Sequence, residues 1–188
     1  MNLPNKLIIF RIALIPFFLF FFLTAQPGDS VFRLIAMVIF VLAAFSDFLD
    51  GYLARKWDMT TNFGKLMDPM ADKMLVCSAL VALVQRHELA AWVVIIIICR
   101  EFWVTALRIL ALEQGREIIS ASKLGKVKTV LQMGMLACLL AGVGSGAYGI
   151  FVHEWWGIVA NVLVILTVIA TVFSAVEYTW GHRAIVRV

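Results

Sequence analysis

The sequence predicts an all-α integral membrane protein: a bundle of six transmembrane helices preceded by a short N-terminal interfacial segment. Hydrophobic residues make up 63% of the 188 residues, and the mean hydropathy is +0.96. Both values lie well above those of soluble domains. Charged residues are only 15% of the chain and cluster between apolar runs, each near the roughly 20 residues that a helix needs to cross a bilayer. We therefore expect one membrane domain over residues 1–188.

The apolar runs place the six spans. The first run lacks a small-residue cleavage site, because Pro27 directly follows Gln26, so we expect a retained helix rather than a signal peptide. Residues 2–6 before it form the expected interfacial segment, and the run Phe17–Phe22 is expected to face lipid. The expected spans are Leu7–Thr24, Val31–Trp57, Leu66–Gln85, Leu89–Leu112, Val127–Gly144 and Ile150–Tyr178.

The positions of the basic residues predict the orientation. With the N-terminus in the cytoplasm, only Arg33 and Arg86 fall on the outer side, and Arg100 lies within the fourth span. The other lysines and arginines are cytoplasmic, which is a strong positive-inside bias. We expect a multi-pass protein of the inner (cytoplasmic) membrane with both termini in the cytoplasm. The net charge of +4 suits an anionic membrane surface and anionic substrates, and without a basic arm clear of the membrane we expect no nucleic-acid partner.

The stretch from Ser46 to Lys73 contains the most informative residues. Residues at i, i+3, i+4 and i+7 of a helix share one face, and this spacing joins Asp47, Asp50, Gly51 and Ala54. The two small residues would let a ligand approach the helix backbone closely.

A second pair of carboxylates follows on the next helix, where Asp68 and Asp72 are spaced i, i+4. The eight residues Lys56–Phe63, which include polar Asp58, Thr60, Thr61 and Asn62, are the natural turn between the two helices. The hairpin would direct four carboxylates at a common space. A single aspartate near a helix end is commonly a cap or a solvated residue. Four carboxylates beside a membrane are energetically costly, so they predict a functional site in which the carboxylates have a binding partner. Oxygen ligands of this kind suit Mg²⁺ or Mn²⁺, which commonly share them with substrate phosphates.

Two further stretches carry charge into or beside the membrane. Arg100 and Glu101 interrupt an apolar helix, with Arg108 two turns further on. They are either a structural ion pair or guanidinium groups that bind a phosphate. Lys126 and Lys128 begin the fifth span and are either positive-inside anchors or a second part of a phosphate site.

The aspartate stretch resembles the signature of a known family. From Asp47 to Asp72 it reads D-x2-D-G-x2-A-R-x8-G-x3-D-x3-D, with every fixed position present. This pattern is similar to that of the CDP-alcohol phosphotransferases, integral membrane enzymes that move a phosphatidyl group from CDP-diacylglycerol to an alcohol. The resemblance implies that Asp47, Asp50, Asp68 and Asp72 hold two divalent cations, Mg²⁺ or Mn²⁺, and that Asp72 is also the general base.

The resemblance also implies a site for CDP-diacylglycerol. Gly51 and Arg55 would contact the cytidine diphosphate group, with Thr61 and Asn5 as further candidates. The chain departs from the family at Ile8, where members usually carry threonine, so a hydroxyl contact is missing there. The full set implied for CDP-diacylglycerol is Asn5, Gly51, Ala54, Arg55, Thr61 and Gly64.

The acceptor is implied by weaker motifs. The N-terminal residues Asn2, Pro4, Asn5 and Arg11, the pair Arg100-Glu101 and the run Gly125–Thr129 resemble the bacterial branch that makes phosphatidylglycerophosphate. The implied acceptor is sn-glycerol 3-phosphate, with a homodimer in the lipid bilayer as the usual assembly. The residues implied to bind the acceptor phosphate are Arg100, Arg108, Lys126 and Lys128.

Alternative functions remain open at this point. The aspartate signature is common to enzymes with phosphatidylglycerol, serine or inositol phosphate as the acceptor. Carboxylates in a membrane can also mark a cation transporter. Transporter sites are expected near the bilayer midplane on broken helices, whereas these aspartates cluster at the cytoplasmic ends of spans two and three.

Overall fold

Six helices and no strand make up the described part of the chain. The computed structural model describes residues 3–26, 30–56, 62–114, 123–142, 154–181 and 183. Within these ranges it describes the backbone alone for residues 3–6, 47–56, 62–69, 112–113, 123, 154 and 156. The helices are α1 (Leu3–Thr24), α2 (Ser30–Lys56), α3 (Asn62–Gln85), α4 (Ala91–Glu113), α5 (Lys123–Leu140) and α6 (Glu154–Gly181).

The first helix begins earlier than the apolar run alone indicates. It starts at Leu3 and continues without a break to Thr24, so residues 3–6 belong to it rather than to a separate segment. Pro4 lies in its first turn, where the N–H that proline lacks would have no partner in the helix. Proline is therefore compatible with a helix that starts at this point.

Two groups of helices build the bundle. Helix α1 packs along α2 and α3, while α6 packs along α5 and α4. Phe18 and Phe22 of α1 are fully buried, stack on each other with ring centroids 5.6 Å apart, and Phe18 also meets Phe40 of α2 at 5.7 Å. The expectation that the whole phenylalanine run faces lipid is therefore wrong for these two rings. Phe17 and Phe20 are exposed, because the helical period divides the run between two faces.

The outer surface of the bundle is apolar. Large side chains such as Phe45, Trp92, Phe102 and Phe173 are exposed, on a scale that soluble monomers avoid. In the described ranges, Leu7–Thr24 of α1 and Gly157–Gly181 of α6 are by length and hydropathy able to cross a membrane. The six helices of the described residues match the predicted number of helices, and two of them have the length and composition of a membrane span.

A cluster of Arg33, Arg86 and Glu88 connects several helices at the end of the bundle where α3 is followed by α4. Both oxygens of Glu88 accept hydrogen bonds from Arg33, which also donates from Nε to the carbonyl oxygen of Leu140 at 2.9 Å. Arg86 donates to Glu88 and, through Nη1, to the carbonyl oxygen of Phe22 at 2.7 Å. These contacts satisfy carbonyl groups near the ends of α5 and α1. This cluster therefore ties α1, α2, α5 and the α3–α4 turn together.

Candidate active site

A cavity of about 280 Å³ opens between α3, α4, α5 and α6, toward the end of the bundle opposite the Arg33–Glu88 cluster. It is formed by the middle of α3 and of α4, the first half of α5 up to Met133, and the end of α6. Its size is close to the lower end for small-ligand pockets, roughly 300 to 1,000 Å³. The lining residues are Asp72, Lys73, Val76, Cys77, Arg100, Glu101, Val104, Thr105, Arg108, Gly125, Lys128, Thr129, Gln132, Met133 and Tyr178.

Glu101 is the anionic centre of one wall of the cavity. Lys128 of α5, which is 1% exposed, donates a hydrogen bond to its Oε1, and Arg100 Nη1 lies 3.4 Å from the same oxygen. A lysine removed from water needs a partner of this kind, because an unpaired buried charge is strongly unfavourable. The structural ion pair, one of the two alternatives left open for Arg100 and Glu101 by the sequence, is present, and both of its members also line the cavity.

The two arginines of α4 are positioned by α6. Arg100 Nη2 lies 2.5 Å from Ser174 Oγ, and Arg108 Nε donates to the hydroxyl of Tyr178 at 3.0 Å, with its guanidinium 5.7 Å from the centre of the tyrosine ring. Arg100 Nε is buried and has no hydrogen-bond partner among the described residues. Because the planar guanidinium group presents several donors in fixed directions, both arginines keep donor capacity for an anion.

Helix α3 brings a carboxylate and a lysine to the same cavity. Asp72 is exposed at its surface. Lys73 donates to Thr105 Oγ1 of α4, and this hydroxyl in turn donates to the carbonyl oxygen of Glu101 at 2.7 Å. Among the described lining residues, four cationic side chains (Lys73, Arg100, Arg108 and Lys128) outnumber two anionic ones. This surplus of positive charge suits a dianionic ligand such as a phosphate monoester.

Only one of the four predicted metal-binding carboxylates has a described side chain. The backbone places Asp47 and Asp50 on α2, and Asp68 and Asp72 one turn apart on α3. The side chains of Asp47, Asp50 and Asp68 lie outside the described residues, and no group of three metal-ligating side chains occurs among those that are described. The donor set itself, four carboxylates, fits the oxygen preference of Mg²⁺ and Mn²⁺.

The predicted CDP-diacylglycerol residues fall largely outside the described side chains. Helix α2 ends at Lys56 and α3 begins at Asn62, so the predicted turn Lys56–Phe63 is too long at both ends, because Lys56, Asn62 and Phe63 are helical. Thr61 lies outside the described residues. For the others the structure gives a helix and a position: Asn5 on α1, Gly51, Ala54 and Arg55 on α2, and Gly64 on α3.

Three of the four residues predicted to bind the acceptor phosphate line the cavity, and the fourth does not. Arg100, Arg108 and Lys128 come together in the cavity wall, although they lie on two helices. Lys126 is exposed and is not among the lining residues. Lys128 is therefore the inner lysine of this pair and Lys126 the outer one.

The cavity also includes residues that the sequence analysis missed. Gln132 follows Lys128 by four residues, and Tyr178 follows Ser174 by four, so each pair shares a helix face. Polar side chains at such positions within apolar helices are a signal of function or of buried partners. Lys73 was assigned only to the cytoplasmic surface.

Two comparisons with known proteins, one with family models and one with individual proteins, found similarity over most of the chain. The model of the CDP-alcohol phosphatidyltransferase family matches residues 1–178. A relative from Bacillus subtilis (strain 168), named CDP-diacylglycerol–glycerol-3-phosphate 3-phosphatidyltransferase, is 45% identical over 148 residues, which cover 74% of this chain and 76% of the relative. Proteins of the same name from Haemophilus influenzae and Shigella flexneri are 40% and 38% identical, over 94% and 97% of this chain and 91% and 96% of their own lengths.

Proposed function

Because the chain belongs to the CDP-alcohol phosphatidyltransferase family, we propose that it transfers the phosphatidyl group of CDP-diacylglycerol to sn-glycerol 3-phosphate. The observation that carries this proposal is the similarity, over nearly the whole chain, to proteins named for that reaction. The cationic cavity supports it, since a small phosphorylated alcohol suits both the cavity's size and its charge. The products are phosphatidylglycerophosphate and CMP.

The proposed reaction is a displacement at phosphorus. The 1-hydroxyl oxygen of glycerol 3-phosphate forms a bond to the β-phosphorus of CDP-diacylglycerol, and the bond between that phosphorus and the oxygen bridging to CMP breaks. Asp72 accepts the proton of the hydroxyl group, and its exposed position in the cavity wall leaves it accessible to the acceptor. CMP leaves with the electron pair of the broken bond.

The proposed metal ligands are Asp47, Asp50, Asp68 and Asp72, which would hold two divalent cations, Mg²⁺ or Mn²⁺. When bound, such cations would neutralise the charge of the pyrophosphate group and lower the pKa of the acceptor hydroxyl. This assistance matters because an aspartate with an ordinary pKa near 4 is a weak base at neutral pH. The proposed residues for CDP-diacylglycerol are Asn5, Gly51, Ala54, Arg55, Thr61 and Gly64, all on or between α1, α2 and α3.

The acceptor phosphate is proposed to lie against Arg100, Arg108 and Lys128, with Lys126 contributing from the surface. Charge-assisted hydrogen bonds from guanidinium and ammonium groups are the strong contacts available to a phosphate. Arg100 Nε, a buried donor with no acceptor among the described residues, supports this assignment. These contacts would favour glycerol 3-phosphate over neutral acceptors such as serine.

The proposed setting is the inner membrane. All six helices would cross the bilayer, with both termini and the cavity on the cytoplasmic side, where water-soluble phosphates are found. The positive-inside distribution of lysine and arginine supports this orientation, and the exposed apolar side chains support a lipid environment. A homodimer is proposed from the family resemblance.

CMP release from the purified protein in detergent tests the proposal. The protein receives CDP-diacylglycerol and Mg²⁺, with glycerol 3-phosphate, phosphatidylglycerol, serine or inositol phosphate supplied one at a time. We expect CMP release only when glycerol 3-phosphate is the acceptor, and we expect Asp72→Asn to abolish this release. Glu177→Gln, on the exposed surface of α6, is the matched charge-removal control and should still release CMP. Release only with another acceptor would overturn the acceptor assignment. Absence of release with every acceptor would overturn the activity.

A further inference from the structure

One buried polar group in the cavity wall has no use in the reaction as described. Gln132, on α5, is 4% exposed and lines the cavity. Its Oε1 atom is buried without a hydrogen-bond donor among the described residues. Burying an amide oxygen without a partner is unfavourable, and native proteins rarely leave such a group unpaired unless a ligand or water completes it.

The surroundings of Gln132 indicate what kind of ligand group it can bind. Lys128 lies one helical turn before it, and the cationic side chains of Arg100 and Arg108 line the same cavity. These groups are donors only, so they suit the oxygen atoms of a phosphate. A phosphate dianion has no hydrogen to donate and cannot satisfy the oxygen of an amide. A hydroxyl group can, because it both donates and accepts.

We propose that Gln132 binds the 2-hydroxyl group of the acceptor, the hydroxyl that does not react, and so selects a phosphorylated polyol over a simple phosphorylated alcohol. This inference rests on the proposed function and adds a specificity-determining residue to it. Because Oε1 is buried in the structure described, binding requires the amide to turn its oxygen toward the cavity, which the broad terminal torsion of glutamine allows. With the phosphate held by the cations and the 2-hydroxyl by Gln132, the 1-hydroxyl is left to face Asp72.

The test compares two acceptors that differ only in this hydroxyl: glycerol 3-phosphate and propane-1,3-diol monophosphate. For the wild-type protein we expect kcat/KM to be at least about tenfold higher with glycerol 3-phosphate, the size of one lost hydrogen bond to a buried group. Gln132→Met keeps the length of the side chain and removes its polar atoms. In this variant we expect the kcat/KM values for the two acceptors to differ by less than about threefold. Val130→Leu, at an exposed position of the same helix that does not line the cavity, should leave the ratio unchanged.

Binding without turnover separates this inference from the proposed reaction. Thermal-shift titrations of the same variants with glycerol 3-phosphate, propane-1,3-diol monophosphate and inorganic phosphate need no CDP-diacylglycerol. We expect Gln132→Met to weaken glycerol 3-phosphate binding about tenfold and to leave the affinity for inorganic phosphate within about twofold. An unchanged acceptor ratio, or an equal loss of affinity for all three ligands, would overturn the role of Gln132. Absence of CMP release by the wild-type protein, with binding discrimination intact, would overturn only the reaction.

Discussion

Lys128, near the start of α5, donates a hydrogen bond to Glu101 in the middle of α4, although the two residues are 27 positions apart. This pair joins α4 and α5, the two helices that supply Arg100, Arg108 and Lys128 to the cavity wall. It also gives the lysine, which is 1% exposed, a carboxylate partner in the bundle. The carboxylate of Glu101 thus stabilises the fold and fixes the position of a proposed phosphate ligand.

Glu101→Gln should therefore affect stability and substrate binding together. The substitution keeps the shape of the side chain and removes the charge that Lys128 and Arg100 share. Losing one partner of a buried ion pair costs about 3–5 kcal/mol, and we expect somewhat less here because Glu101 is 21% exposed. Thermal unfolding in detergent and the KM for glycerol 3-phosphate measure the two effects. The double variant Glu101→Gln/Lys128→Met should recover part of the lost stability, and full additivity would contradict the coupling.

The two lysines of α5 should differ in what their removal changes. Lys126→Ala should raise the KM for glycerol 3-phosphate far more than that for CDP-diacylglycerol, with little change in stability because its side chain is exposed. Lys128→Ala should raise the same KM and also destabilise the protein, since it leaves Glu101 without its ammonium partner. Steady-state kinetics with each substrate varied, together with melting curves, separate these outcomes. Equal effects on both KM values would exclude an acceptor role for the lysine concerned.

The sequence predicted the number and order of the helices well, and the cavity only in part. Arg100, Arg108 and Lys128 were identified because charged residues are conspicuous in apolar runs. The contact between Lys128 and Glu101 could not be predicted, since helical spacing indicates which residues share a face and not which faces meet. Gln132 and Tyr178 were missed because their burial, which makes them informative, is a property of the packed bundle. The phenylalanine run shows the same limit, as composition alone cannot divide its rings between lipid and core.

Tyr178 should tune the affinity for the acceptor through Arg108. The tyrosine hydroxyl accepts a hydrogen bond from Arg108 Nε at 3.0 Å, and its ring lies beneath the guanidinium group. Tyr178→Phe removes the hydroxyl and keeps the ring. We expect it to raise the KM for glycerol 3-phosphate roughly 2- to 10-fold, which corresponds to the loss of one hydrogen bond between the charged guanidinium and a neutral acceptor. Tyr178→Leu removes the ring as well and should raise it further. Identical KM values for both variants and the wild type would show that Arg108 needs no support from α6.

Removal of divalent cations should abolish CMP release without unfolding the protein. The proposed ligands are carboxylates on α2 and α3, whereas the described core is built from apolar side chains that do not depend on a metal. We expect EDTA to eliminate activity, and Mg²⁺ or Mn²⁺ to restore it, with the melting temperature lowered by only a few degrees. Activity in the presence of excess EDTA would contradict the metal assignment. A collapse of the fold on chelation would instead indicate a structural ion.

Arg33 and Glu88 should govern stability without governing catalysis, because they lie at the opposite end of the bundle from the cavity. Arg33 is 1% exposed and Glu88 7%, and the arginine also binds the carbonyl oxygens of Leu139 and Leu140 at the end of α5. Glu88→Ala leaves two arginines without their shared carboxylate, so we expect a loss of about 3–5 kcal/mol in the free energy of unfolding. The KM for glycerol 3-phosphate, measured below the melting transition, should stay within about twofold of the wild type, since no residue of this cluster lines the cavity described. A large rise in that KM with unchanged melting would mean that the two ends of the bundle are coupled through α5 rather than independent.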